Sequence, residues 1–508
     1  MSSSSSPKTH PQPNATFVSG LSVFFIGVLL AAALLGPRRA GDFFELIQNS
    51  IFRYFSWFYV LSMTGFLLFA LWLIFGPYGK LRLGAEDDRP EFSTPTWISM
   101  LFSAGMGIGL LFFGVAEPMM HYANAPTMET NKLVRARDAM GLTFFHWGLH
   151  AWAVYAVVGL ALAYFCFRKG FAFSLRSALY PVLGKRVFGR MGDVIDVLAI
   201  VSTLLGVATS LGIGAMQVNS GLHYAFGLPN TTVAQVAVIA GVTSLATLSV
   251  VSGLHMGIRR LSELNMALAG LLFLMVLVLG PTPFLLNSFV ENIGSYLEQL
   301  PKHSFITGSF ENTAEKRWLR SWTLFYWAWW IAWAPFVGMF VARVSKGRTI
   351  REFVVTVLFV PTLVGFAWFS VFGGASLYAE IHGDHSVGLA VADDMPTAVF
   401  VLFESYPATM FTTLVCVISI VLFFVTSSDS ASLVVDTLAA GGNEDNPVWH
   451  RVFWAVLEGL VAAALLLAGG LQALRTATIT SALPFCVIIL LMCVGIIRSL
   501  RKEKLPKP

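Results

Sequence analysis

Five tryptophans, one tyrosine and two phenylalanines occupy the fifteen positions 322–336, WTLFYWAWWIAWAPF, and no charge lies among them. One chemistry calls for many π faces in an apolar setting, namely reception of a cation that has no hydrogen to donate. A quaternary ammonium finds its favourable partners in aromatic faces, each contributing roughly 0.5–2 kcal/mol once water is excluded. Plainer uses compete. An interfacial aromatic belt sits at helix ends, whereas this run reaches well into an apolar segment. Simple packing is served as well by Leu or Phe, without an indole N–H to satisfy. On a 3.6-residue helix Trp322, Tyr326, Trp329 and Trp333 share a stripe, Trp330 flanks it, and Trp327 points elsewhere.

Two further segments carry candidate chemistry. FFHWGLHAWAVYAVVG holds Trp147, Trp152 and Tyr155 over a wide arc of one helix. SAGMGIGLLFFGVAEP alternates Gly105, Gly107 and Gly109, and glycine lets a backbone leave helical geometry and approach a ligand. Close helix packing is the plainer use of such small residues. Opened backbone at membrane depth is tolerated only where it is enclosed by protein or lines a cavity, so an unwound glycine segment predicts a site beside it.

The elements that must position these residues are membrane helices. The 508 residues are 56% hydrophobic and 12% charged, with a mean hydropathy of +0.71, far from a soluble globular composition. Apolar runs of about 20 residues, the length that crosses a bilayer core, recur about twelve times. They fall near 17–36, 52–76, 95–116, 140–167, 194–222, 231–253, 264–287, 321–343, 352–374, 409–436, 451–470 and 476–498. The expectation is an all-α polytopic membrane protein of about twelve transmembrane helices. MSSSSSPKTHPQPNA lacks a signal-peptide pattern, so 1–16 reads as a disordered cytoplasmic tail and 499–508 as a short basic one. With both termini inside, cytoplasmic segments carry 22 of the 33 Lys and Arg residues, the bias that sets orientation. This points to a multi-pass protein of the cell's inner (plasma) membrane, surrounded by lipid. The basic balance follows from topology and gives no reason to expect a nucleic-acid partner. Cys166, Cys416, Cys486 and Cys493 lack metal-ligand spacing and read as packing residues. LLNSFVENIGSYLEQLPKH sets Phe289, Ile293, Tyr296, Leu297 and Leu300 at helical spacing, an amphipathic helix expected in the interface. The chain then divides into two extra helices at 17–94, five spans at 95–287, a linker at 288–320 and five spans at 321–498. A 5+5 division hints at the inverted repeats of secondary transporters.

GMGIG, HWGLHAWAVY, FYWAWWIAWAPFVGMFVARVSKGRTIREF and FFVTSSDSAS resemble, in order and spacing, segments of the betaine/choline/carnitine transporter family. The likeness runs from span 1 to span 12. It implies a sodium-symporter-like fold with a 5+5 inverted repeat behind two extra helices, often assembled as a homotrimer. No cofactor is implied. Carried over, the aromatic box is Trp147, Trp152, Tyr155 and Trp330, with Trp329 and Trp333 along the path and Trp333 the contact made as substrate moves inward. Met106 and the Gly105–Gly109 backbone complete the substrate set. Family members that take choline commonly place an aspartate where this chain has Gly109. Without that counter-ion, a zwitterion carrying its own carboxylate is the better match. The expected substrate is therefore glycine betaine, imported by cation symport, with choline, carnitine or an ectoine-type solute as the alternative.

The resemblance also implies a sodium site from Ser103, Met106, Phe423, Thr426 and Ser427. A second sodium site in sodium-coupled relatives uses two Thr hydroxyls four apart in span 5, near an aromatic matching Phe336. Here Thr203 is present and its partner position is Val207, which leaves one sodium ion or a proton as the coupling ion. For protons, Glu117, His146 and His150 are the titratable candidates, each also readable as structural, and Asp429 reads as a pairing or capping group at the inner end of span 10. The short tails predict weak osmotic activation. A membrane enzyme would need a nucleophile–base set or metal motif, and HExxH and GxSxG are absent from the spans. A channel shares these features and differs by failing to accumulate solute.

Overall fold

The computed structural model describes residues 14–105, 107–125, 130–252, 255–383, 385–443 and 445–503, with the side chains of 102–105, 252 and 255–259 set aside. Met106 and most of the expected N-terminal tail therefore lie outside the described residues, as do the side chains of Ser103 and Gly105. Helices dominate. Spans 1 and 2 are Ala15–Leu35 and Pro37–Phe75, and span 3 comes in two pieces, Thr94–Gly105 and Ile108–Asn124. Span 4 is also divided, Lys132–Trp147 and Leu149–Ala163, and spans 5 to 7 are Arg190–Phe226, Thr232–Ser252 and His255–Leu279. The linker helix Thr282–His303 precedes span 8, Phe325–Arg343, and spans 9 and 10 are Ile350–His382 and Thr409–Ala439. One run, Val448–Leu500, contains both remaining spans, because Gly469 (φ 176°, ψ 21°) and Gly470 (φ 59°, ψ −141°) break it. Gly470 has the left-handed φ that glycine adopts without a Cβ clash.

The two sides of that break run in opposite directions. Asp429 and Asp436 of span 10 meet Arg451 and His450 of span 11 in antiparallel order. Beyond the break, span 12 follows span 2 in parallel. Gln48 accepts from Gln472 and Thr476, and Tyr59 donates to the Ile479 carbonyl at 2.9 Å. Both ends of the described chain come near one another, because the turn after span 10 meets the turn after span 4 where the ideal Cβ position of Gly442 lies 3.2 Å from the Phe173 carbonyl oxygen. Ser19 donates to the Ala439 carbonyl at 3.4 Å, and Glu503 pairs with Arg168 at 2.9 Å.

Burial separates lipid-facing helices from the core. Within their most apolar stretches, spans 4 and 8 are 100% and 94% buried, against 22% for spans 1 and 7. The helices that carry the tryptophans are thus wrapped by the others, and lipid-facing spans expose side chains such as Phe24, Leu248 and Leu274. In a bilayer those faces are satisfied by acyl chains, so the exposure costs nothing there.

The linker helix departs from expectation. Its buried residues are Leu285, Asn292, Ser295 and Tyr296, while Leu297 is exposed. It packs on spans 4 and 9, so its inward face is chosen by polar partners in the protein as well as by apolar content.

Candidate functional site

Two helix breaks frame the tryptophans. Span 3 leaves helical geometry at Gly107 (φ −153°, ψ −149°), and the ideal Cβ position of Gly107 lies 3.8 Å from Ser427 Oγ of span 10. Span 4 breaks at Gly148 (φ −88°, ψ −145°), the residue after Trp147. A Cβ on Gly148 would sit 2.6 Å from the Phe144 carbonyl oxygen and 2.8 Å from Tyr296 Oη, so no larger residue fits without movement. A break orphans backbone groups. The Leu149 N–H is recovered by donating to Tyr296 Oη of the linker helix at 3.1 Å.

Around these breaks the rings assemble. Trp147 meets Trp330 edge to face at 4.9 Å between centroids, and Tyr155 meets Trp330 in the same way at 6.4 Å. Trp329 lies flat on Trp330, 5.2 Å apart and 11° from parallel, and it reaches Trp147 edge-on at 6.3 Å. Trp152 contacts Tyr155 at 5.4 Å. Trp333, one turn further along, packs against Phe336 at 5.5 Å and lies 2.9 Å from the ideal Cβ position of Gly206 in span 5. All of these rings are buried. Trp329 therefore stands with Trp330, and Trp333 stands with span 5, a split that the shared stripe does not suggest. A π-helical turn at Arg320–Leu324 also interrupts the regular spacing on which the stripe relies, and Trp322 turns to His121 at 4.7 Å. Trp327 does point elsewhere, against His150 at 5.3 Å.

Gly109 closes against this cluster. A Cβ there would stand 2.7 Å from Trp147 Cη2 and 3.2 Å from Trp329 Cη2. The N–H of Trp329, the N–H of Trp333 and the phenol of Tyr155 are buried without a hydrogen-bond partner among the described residues. Such groups are costly when left dry, and a bound polar ligand relieves that cost.

Of the ion-site residues, Thr426 donates to the Leu422 carbonyl at 2.8 Å, its own helix, while Ser427 faces the opened segment of span 3. Phe423 and Phe336 are buried, and Thr203 Oγ1 is buried without a partner among the described residues. Asp429 pairs with Arg451 at 3.5 Å.

A profile of the betaine/carnitine/choline family of transporters matches residues 17–505. The chain belongs to this family. It is 45% identical over 505 residues to a glycine betaine transporter of Acinetobacter baylyi, covering 98% of this chain and 75% of that one. Identity is 46% over 490 residues with the glycine betaine transporter OpuD of Bacillus subtilis, covering 95% of each. A glycine betaine/proline/choline/ectoine transporter of Vibrio parahaemolyticus is 44% identical over 493 residues, 96% of this chain and 86% of that protein.

In this member of the betaine/carnitine/choline family, several residues that hold the rings escape sequence reasoning. Phe113 touches Trp147, Trp322, Tyr326 and Trp329, and Phe369 of span 9 packs on Trp147 at 5.1 Å. Nothing distinguishes these two among the chain's 43 phenylalanines. Glu117 did leave a signal, as an acid inside an apolar helix. Its side chain is fully buried, accepts from Trp147 Nε1 at 2.7 Å and from Tyr326 Oη, and shares hydrogen bonds with His146 Nδ1 and His121 Nε2 at 2.6 and 3.2 Å. Beyond this cluster a cavity of about 760 Å³ opens, lined in part by His121, Phe145, Trp318 and Thr323. Trp147, Trp152, Tyr155, Trp329 and Trp330 are not among its lining residues.

Proposed function

We propose that this transporter imports glycine betaine, with the trimethylammonium seated among Trp147, Trp152, Tyr155 and Trp330. The observation that supports this reading best is the meeting of Trp147, Tyr155 and Trp330 edge to face, two helix breaks away from ordinary packing. Trp329 and Trp333 line the inward path. The unpartnered N–H groups of Trp329 and Trp333 and the Tyr155 hydroxyl suit a zwitterion that brings two acceptor oxygens. Choline brings one hydroxyl and an uncompensated charge, which burial penalises.

Import is by cation symport. One sodium site uses Ser103, Met106, Phe423, Thr426 and Ser427, favoured by the proximity of Ser427 to the opened span 3. Opened backbone carbonyls and hydroxyls are the ligands such sites employ. Thr203 and Phe336 mark a second, incomplete position, because Val207 supplies no oxygen. The transporter works as two inverted five-helix repeats, 95–287 and 321–498, in a homotrimer of the plasma membrane with both termini cytoplasmic. A second reading, proton-coupled choline transport, is favoured by the hydrogen-bonded group of Glu117, His121 and His146.

Uptake of labelled glycine betaine and choline into proteoliposomes, with sodium and proton gradients imposed separately, tests the proposal. Sodium-driven accumulation of betaine is expected. Choline accumulation driven by protons alone contradicts it.

A further inference from the structure

We infer that Glu117 is a positioning residue of the aromatic box, one that also supplies its negative charge from behind the rings. The inference rests on the aromatic-box reading. Gly109 leaves the site without a carboxylate at contact distance, yet a buried carboxylate stands directly behind one wall. Glu117 Oε2 accepts the Trp147 indole N–H at 2.7 Å and the Tyr326 hydroxyl, while Oε1 accepts from His146 Nδ1 at 2.6 Å and His121 Nε2 at 3.2 Å. An indole N–H can only donate. Trp147 and Tyr326 both donate to Oε2, and the His146 and His121 tautomers that place N–H groups on Oε1 make the pocket one for a carboxylate.

The same group holds one wall directly, Trp147, and anchors the ring of His146, the residue whose backbone carbonyl accepts the Trp330 indole N–H at 2.9 Å. The other His146 nitrogen is tied to Thr323 Oγ1 at 2.9 Å, so the ring has little freedom. Arg475 stacks over Phe325 at 4.7 Å and makes no ion pair with Glu117 among the described residues, although its charge lies within electrostatic range of that acid, so the part of the field that reaches the rings is what the comparison of ligands below reads.

A charge-assisted hydrogen bond on an indole N–H enriches the π face on the other side, and burial preserves the field. The ammonium of a substrate then feels an anion one ring away. The carboxylate of a zwitterion, bound on the opposite side, is spared a like charge in contact. An aspartate at position 109 would favour a bare cation, whereas Glu117 behind Trp147 favours a zwitterion.

The test compares glycine betaine with its uncharged-head analogue tert-butylacetate, binding each to purified wild type, Glu117→Gln and Glu117→Asp. Glu117→Gln should weaken betaine about tenfold or more and leave tert-butylacetate nearly unchanged, with Glu117→Asp restoring much of the preference. Equal losses for both ligands, or no loss, overturn the inference. Where the Gln variant does not fold or the analogue does not bind, ultraviolet resonance Raman difference spectra of wild type against Trp147→Phe decide. A strongly hydrogen-bonded indole N–H supports the inference, and a weakly bonded one overturns it. Normal betaine binding by Trp330→Leu would defeat the box reading itself. Loss in Trp330→Leu with none in Glu117→Gln would defeat only the role of Glu117.

Discussion

Trp330 donates its indole N–H to the carbonyl of His146 at 2.9 Å, joining span 8 to the first half of span 4 just before that span breaks. The carbonyl is available because the last turn of a helix has no intrahelical donors left. A break at Gly148 thus creates the acceptor that fixes a ring four helices away in sequence.

That dependence makes the break itself testable. Gly148→Ala places a methyl 2.6 Å from the Phe144 carbonyl oxygen, and the forced shift should cost about 1–3 kcal/mol. Tyr296→Phe leaves the buried Leu149 N–H without its acceptor, a loss of similar size, about 1–3 kcal/mol. Melting in detergent should show both, and Gly148→Ala should also lose betaine uptake. Unchanged uptake by that variant would detach the break from the site.

Gly109 tests closeness of fit. Its Cβ position lies 2.7 Å from Trp147 Cη2, so even Gly109→Ala must displace that ring. Betaine and choline uptake should both fall in Gly109→Ala. Gly109→Asp adds an anion on top of a steric cost at least as large, so choline should lose less than betaine. Wild-type kinetics in both variants would contradict the packing.

Ion coupling can be pressed from two directions. Thr426→Ala and Ser427→Ala should each raise the sodium concentration needed for half-maximal uptake, with Ser427 the larger effect because Thr426 is already bonded to its own helix. Val207→Thr restores a hydroxyl four residues from the unpartnered Thr203 Oγ1 and should steepen the sodium dependence. Flux assays over a sodium series read all three.

On the opposite side of the bundle, Glu503 latches the end of span 12 to span 4. It accepts from Tyr164 at 2.7 Å, Arg168 at 2.9 Å and Lys169 at 2.5 Å. Burial raises its pKa, but the hydrogen bonds from Arg168, Lys169 and Tyr164 outweigh this and hold it at about 2, below the ordinary 4.5. A depressed acid stabilises the fold above its unfolded value and loses that contribution as pH falls toward 2. Wild type should therefore lose melting temperature on acidification from pH 5 to pH 3 (about one unit either side of the ordinary carboxylate range) more than Glu503→Gln does. Parallel profiles would remove the latch.

The membrane spans and the aromatic segments were legible because hydropathy and residue type are local properties. Trp147 and Tyr155 each meet Trp330 edge to face, and span 3 is interrupted between Gly105 and Ile108, where the glycines alternate. What stayed hidden depends on partners distant in sequence. Gly148 looked like any helix glycine until Tyr296 and Phe366 crowded it. The grouping of Trp329 with Trp330, and of Trp333 with Gly206, is set by which helix faces span 8 at each turn. Leu297 turned outward because Tyr296, beside it, has a hydrogen bond to make. Glu117 announced itself by its charge, but of its partners only His121, four residues on in the same helix, is linked to it by spacing, while His146, Trp147 and Tyr326 come from two other helices.

The most direct measurement of the central claim is the affinity of purified protein for glycine betaine, by calorimetry in sodium, for wild type, Trp147→Leu and Trp330→Leu. Loss of one π face should weaken binding about tenfold while the variants melt near the wild-type temperature. Wild-type affinity in both variants would contradict recognition of the ammonium by this cluster of rings.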